Sequence, residues 1–318
     1  MGLNWGMKTL LMILALGLCL PLVGADKKNT YLEKHLLKVG VKTVKETVFV
    51  IEEELGKPVR KGGRGYSLYK YDKKGNRIEE ASYDADGEIR SKTVSKYDKK
   101  GNEVETLHYG DNGKIRFKNA RKYDVKGNSV EFVSYNASGK ISGIQTYKYD
   151  VQGHMLERVF HDANRKIRQK YVYKYDEKGN EVEWASQDAD GKIGVKKTTN
   201  NRYDASGNKV EKVEHDSSGE ISSKLIYKYD EKGNEVEWAS YDAGGKIEFG
   251  NTYKYDEKGN LMERVKFGVN GIIESKHIFE YDEKGSAVKW TTSKLDTRSG
   301  KKRFFPVREL VHELTYWD

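Results

Sequence analysis

Between residues 66 and 290 apolar and polar side chains alternate with a period of two, in runs such as Glu181-Val182-Glu183-Trp184-Ala185-Ser186. That is the periodicity of β-strands. Each run is bounded by a turn of the form Y-D-x-x-G-x, for example Tyr175-Asp176-Glu177-Lys178-Gly179-Asn180 or Tyr83-Asp84-Ala85-Asp86-Gly87-Glu88. Asp accepts hydrogen bonds from the backbone ahead of it, and Gly takes a positive φ without steric cost. The combination predicts a type I turn followed by a left-handed residue, as in short hairpin loops. No stretch of this region carries a helical stripe. The pattern predicts an all-β fold, an antiparallel β-hairpin meander of about eighteen strands. Its sheet is expected to be extended, twisted or spiralling.

The unit recurs. Tyr-Asp pairs begin at Tyr71, Tyr97, Tyr123, Tyr149, Tyr175, Tyr203, Tyr229, Tyr255 and Tyr281, at intervals of 26 residues with one exception of 28. Two extra residues within Val195–Asn201 account for the exception and predict a bulge or a longer strand. Ile89, Ile115, Ile141, Ile167, Ile193, Ile221, Ile247 and Ile273 form one aliphatic column. Ile78, Val104, Val130, Leu156, Val182, Val210, Val236, Met262 and Val288 form another, and the two are expected to be the apolar spine. A carboxylate column runs from Glu79 to Glu263 and a cationic column from Lys70 to Lys254. In the ninth unit the signs exchange together, to Glu280 and Lys289, which predicts cross-strand ion pairs with 280 facing 289.

One column alternates aromatic with cation: Phe132, Arg158, Trp184, Lys212, Trp238, Arg264, Trp290. Its period implies a double repeat of about 52 residues, as does the identity of residues 173–186 and 227–240. These seven side chains are the candidate ligand-binding residues. Flat rings spaced along a sheet stack on sugars or exposed bases, with cations beside them for acidic groups. Alternatively the rings pack inward as the core of a rolled sheet.

The ends differ from the array. Residues 1–25 have the layout of a signal peptide, with Lys8, an apolar run and Val23-Gly24-Ala25 before the cut, so export is expected. The destination is the medium, the periplasm or the cell surface, with no transmembrane span once the signal is removed. Residues 26–65 read as an N-terminal capping segment. Within it lie a short helix over Tyr31 to Lys38, a long strand over Val39 to Ile51 and a flexible turn region from Gly56 to Gly65. Residues 66–290 are the nine-unit array, and 291–318 a C-terminal capping hairpin with a strand through Phe304–Tyr316. Atypical ends suit a repeat array, whose outer units need caps.

Composition narrows the chemistry. The chain has 318 residues, 34% of them charged, with 22 Tyr, 32 Gly and 3 Pro. Its net charge of +9 is modest for so many ionic groups and does not indicate a specific nucleic-acid partner. Cys19, the one cysteine, falls in the signal, which excludes disulfides and thiolate chemistry from the processed chain. The D-A-D-G turns lack the remaining ligands of an EF-hand loop, and the seven histidines show no metal spacing. No phosphate loop, nucleophile elbow or zinc motif is present. No cofactor and no enzymatic activity are expected. A membrane barrel would need an outward apolar band, and Lys, Glu and Asn interrupt both strand faces.

The Y-D-x-x-G-N turn, followed by a strand and a D-x-D-G turn, resembles the YD repeats of the Rhs family over residues 66–290. The resemblance implies spiralling antiparallel sheets, which in that family form hollow shells around a toxin or parts of large cell-surface proteins. This chain is far shorter than the shell-forming members, and no self-cleaving segment or toxin domain is recognisable after its repeats. The expected function is a secreted, non-enzymatic β-repeat protein with an extended surface for a glycan, an acidic polymer or a surface protein. The alternative is a purely structural component of the cell envelope or of a secretion assembly. The sequence does not specify an oligomeric state.

Overall fold

The computed structural model describes residues 36–63, 65–296 and 303–318. The described residues form twenty-one antiparallel β-strands, β1 to β21, and a single 3-10 turn at Val269–Gly271. The segment expected to be a signal peptide, residues 1–25, lies outside the described residues, as do residues 31–35 of the expected helix; Leu36 to Lys38 are not helical. Strand β1 (Val41–Glu54) continues into a short β2 (Lys57–Lys61), inside the segment expected to be a flexible turn. The array follows from β3 (Gly65–Tyr71) and β4 (Arg77–Asp84) to β20 (Ala287–Asp296), and β21 (Arg303–Tyr316) ends the chain.

The turns form as their composition dictates. In the first, Asp72 Oδ1 accepts from the backbone N–H of Lys74 and Asn76, each at 2.9 Å, and Asn76 Nδ2 donates to Asp72 Oδ2 at 2.9 Å. Gly75 has φ +80°, the left-handed geometry that closes the loop. In the D-A-D-G turns the first Asp is spent similarly: Asp84 Oδ1 accepts from Asp86 N–H and Glu88 N–H. The register is the expected one, with Lys70 opposite Glu79 and Glu280 opposite Lys289. The 28-residue interval appears as a longer strand, β13 (Ile193–Tyr203).

The sheet closes, where an open or spiralling one was expected. β1 pairs with β3 through Thr43↔Lys70 to Thr47↔Tyr66, and with β21 through Val41↔Tyr316 to Val50↔Arg308. Twenty strands therefore complete a ring, and β2 pairs only with the far end of β1. Closure satisfies the edge N–H and C=O groups that an extended sheet would leave open. The two terminal strands make it, and neither has the repeat pattern. Strands about 4.8 Å apart and tilted by about 40° give such a ring a diameter of roughly 40 Å when circular. The chain's accessible surface is 21225 Å², against about 13,500 Å² for a filled globule of this mass. The wall is one sheet thick around a lumen.

The aliphatic columns are not the spine. Ile115, Ile141, Ile167, Ile193, Ile221 and Ile273 are 37–55% exposed, as are Ile78 and Leu156 at 37%. They lie beside turns, at the register shifts near both rims, where a single-layer wall offers no second sheet to cover them. The packed apolar cluster is instead at the seam: Leu37, Val41, Val44 and Tyr71, with Tyr69, Leu314 and Tyr316 against them. Residues 36–40 are stitched there by Ala287 N–H to Leu36 O, Lys38 N–H to Ser286 Oγ and Trp317 N–H to Gly40 O.

Candidate functional site

Alternation gives the wall two chemically different faces. On one face most column Glu residues are held by two cations from the strands on either side; Glu237 has Lys228 alone among the described residues, and Glu131 takes Arg165 from a turn as its second cation beside Lys122. Glu105 meets Lys96 and Lys118 at 2.7 and 2.6 Å, and Glu183 meets Lys174 and Lys196 at 2.8 and 3.0 Å. Lys118 first and Lys96 second hold the Glu105 carboxyl below its usual range. In the ninth unit the polarity is inverted, and Lys289 bridges Glu280 and Glu309. The lysine ends stand in water, Lys122 and Lys254 at 72% and 75% exposure. This is the convex, outer face.

On the other face side chains converge and desolvate one another. Burial pushes the Tyr97 phenol up to about 12, the Glu235 carboxyl up to about 7 and the His277 imidazole down to about 4. Arg264, Arg308 and Lys266 press His277 in the same direction. This is the concave, lumen face. Tyr97, Tyr123, Tyr149, Tyr175, Tyr229, Tyr255 and Tyr281 form a latch along it: each hydroxyl donates, at 2.7–3.0 Å, to the carbonyl oxygen twenty residues earlier.

All seven candidate residues lie on the lumen face. Each follows the Glu column (Lys289 in the last unit) by one residue, so belt and ladder stand back to back through the wall. Phe132 is on β8 (Ser129–Asn136), Arg158 on β10 (Met155–His161), Trp184 on β12 (Glu181–Asp188) and Lys212 on β14 (Lys209–His215). Trp238 is on β16 (Glu235–Tyr241), Arg264 on β18 (Leu261–Phe267) and Trp290 on β20. The structure brings them to one level but does not stack them on one another. Their contacts run to the strands between: Tyr173 faces Trp184, Tyr227 faces Trp238, Tyr253 faces Arg264 and Phe279 faces Trp290.

These intervening residues escaped the sequence reading. The signal was there, since Tyr69, Tyr147, Tyr173, Tyr227, Tyr253 and Phe279 all stand two residues before a Tyr-Asp pair. They hold the belt in place. Trp238 Nε1 donates to Tyr253 Oη at 2.9 Å. Arg158 donates from Nε and Nη2 to Gln145 Oε1 at 3.0 and 2.8 Å, and its guanidinium lies 4.5 Å from the Phe160 ring centre. Arg121 lies 5.1 Å from the Phe132 centre. At the seam the Trp290 ring meets His312 edge-on at 5.1 Å, and His312 Nε2 is 3.2 Å from Glu46 Oε2. The seven belt side chains remain partly exposed to the lumen. Such a belt can stack flat, partly apolar guests and pair with anionic groups on them. Among the described residues, no group of three His, Cys, Asp or Glu side chains converges as a metal site.

No family model matches the chain, and no curated protein matches it. Among solved structures, it is similar to TcdB2-TccC3 without its hypervariable C-terminal region, at 13% identity and a TM-score of 0.35. That match covers 81% of this chain and 16% of the other, so the chain spans about a sixth of its length. A porin-like protein from Bacteroides uniformis matches at 10% identity and a TM-score of 0.34, over 86% of this chain and 98% of the other. Likeness at this level assigns no family and no activity.

Proposed function

We propose that this is an exported, non-enzymatic β-repeat protein that binds an extended guest, a glycan or another acidic polymer, on the wall of its lumen. One observation carries the reading: partly exposed aromatic and cationic side chains alternate at a single level around the concave face. Rings held by neighbours and open to water on one side give stacking area at little entropic cost. The outer face supports a different role. Its two-sided ion pairs lack the outward apolar band of a membrane barrel, and they suit a wall that stays in water. The ladder alone would equally serve a purely structural component of the cell envelope or of a secretion assembly, which is the second reading.

Polysaccharide pull-down with Trp184→Ala/Trp238→Ala separates the two. The binding reading expects acidic-polysaccharide capture by the unaltered protein and at least a tenfold loss in the double variant, with the circular dichroism of the sheet unchanged. Capture that survives the double substitution removes the belt as the binding surface, and absence of any capture leaves the structural role.

A further inference from the structure

The belt has one break, at the two-residue insertion. β12 pairs with β13 only from Glu183↔Thr198 to Gln187↔Ile193, and β13 then runs on past the end of β12 to pair with β14 through Tyr203↔Lys209. The rim steps by two residues, about 7 Å of strand. The Tyr latch fails here. The Tyr203 hydroxyl, unlike its counterparts, is buried without a partner, and so are both polar atoms of the Asn201 amide. An unpartnered buried polar group costs about 1–3 kcal/mol, and this step has three such atoms.

Lys209 stands directly opposite Tyr203 and forms no ion pair among the described residues. Its neighbour Lys212 is engaged, donating to Glu214 Oε1 at 2.6 Å. Burial first and Lys212 second depress the Lys209 ammonium, while the Asp176 and Glu181 carboxylates act in the opposite direction without forming an ion pair with it.

We propose that this step is a subsite for a carboxylated sugar residue, with Lys209 taking the carboxylate and Asn201 and Tyr203 taking ring hydroxyls. The choice follows from the donors and acceptors present. A phosphate or a bare carboxylate offers acceptors only and leaves Asn201 Oδ1 unsatisfied, whereas a sugar hydroxyl both donates and accepts. A neutral sugar satisfies the amide but leaves the ammonium unpaired. Trp184, on the same face of the adjoining strand, supplies a ring surface for the next residue of a saccharide chain. The inference rests on the lumen reading and narrows it to uronate-containing glycans.

Isothermal titration with trigalacturonate, maltotriose and a short oligoglutamate tests it. The expected result is binding of trigalacturonate, at least tenfold weaker binding of maltotriose, and at least tenfold loss for both Lys209→Met and Asn201→Ala. Two variants guard against one failing to fold, which circular dichroism would reveal. Equal affinity for maltotriose overturns the carboxylate, equal affinity for oligoglutamate overturns the sugar, and no trigalacturonate binding overturns both. If Trp184→Ala/Trp238→Ala abolishes binding while Lys209→Met does not, the lumen reading stands and the subsite falls. The reverse pattern keeps the subsite and removes the belt.

Discussion

The two faces of the wall are written by the same strands and treat the repeat differently. Outside, nearly every unit carries the same carboxylate between two cations. Inside, one residue along, the side chain changes from Phe to Arg, Trp, Lys, Trp, Arg and Trp. A face that only has to hold register can be copied without change, because cross-strand pairs need nothing beyond their neighbours. A face that meets something other than itself varies with position. On the proposed reading, repetition outside and variation inside separate the part of the molecule that builds the ring from the part that would contact a guest.

The contrast has a sign that pH exposes. The lumen carboxyl of Glu235 is raised to about 7 by burial, while its unfolded value is near 4.5. Well below pH 4.5 both states are neutral and nothing is lost; above 7 the folded state holds a partly desolvated carboxylate at a cost of at most about 3 kcal/mol, reduced by the water that still reaches it. Glu235→Gln is therefore expected to leave stability nearly unchanged at pH 4.5 and to raise it by up to about 3 kcal/mol at pH 8. The outer Glu105 is depressed by its lysines, so its contribution is present above its unfolded value and lost as pH falls. Glu105→Gln should destabilise at pH 8 and be neutral in acid. Urea melts of the two variants at both pH values check this. Equal signs would mean that the faces share one environment and that the assignment of inside and outside is wrong.

Gly250 tests whether the ladder or the packing rules the outer wall. It stands opposite Ala239, where other units place Lys92, Lys118, Lys196 or Lys224. A Cβ there would meet Trp238 O at 2.3 Å and Phe267 Cζ at 2.4 Å. Gly250→Ala is expected to cost about 2 kcal/mol, and Gly250→Lys, which restores the column, should fare no better. Thermal denaturation of the pair decides the matter. A stabilising lysine would show that ion pairing outweighs backbone contact on this face.

Strands, turns and register were legible because each is a local matter: Asp and Gly set the loop, alternation sets the faces, and the joint sign change at Glu280 and Lys289 sets the pairing. Closure was not legible. It depends on β1 and β21, more than 250 residues apart, whose patterns do not repeat and whose match is visible only in space. The aliphatic columns mislead because apolar character does not guarantee burial: Ile115 and Ile193 sit near a rim of a wall without a second layer and are 40% and 55% exposed. The seven candidate residues were found as a column, but their inward direction was left open, since alternation separates two faces without saying which is concave. Asn201 and Tyr203 do not stand out in the sequence: the Tyr203 hydroxyl lacks a hydrogen bond that its counterparts Tyr175 and Tyr229 make, and Asn201 stands where five other units place Tyr.

The smallest effect concerns Arg165, which occupies a turn position given to Gly elsewhere and has φ +64°. A non-glycine residue there costs about 1 kcal/mol. The strain persists because Arg165 Nη1 reaches Glu131 Oε2 at 2.8 Å. Glu131 lacks its usual second lysine, since Ile144 stands in that column and is buried. A partly exposed pair contributes about 0.2–1 kcal/mol and is screened by salt. Arg165→Gly should therefore lie within about 0.5 kcal/mol of the unaltered protein at low ionic strength, strain relief offsetting the lost pair. In 1 M salt the pair no longer compensates, and the glycine variant should be the more stable by about 1 kcal/mol. A glycine variant that is less stable in both conditions would mean the arginine is held by more than its charge, and that the outer ladder tolerates substitution less than its repetition implies.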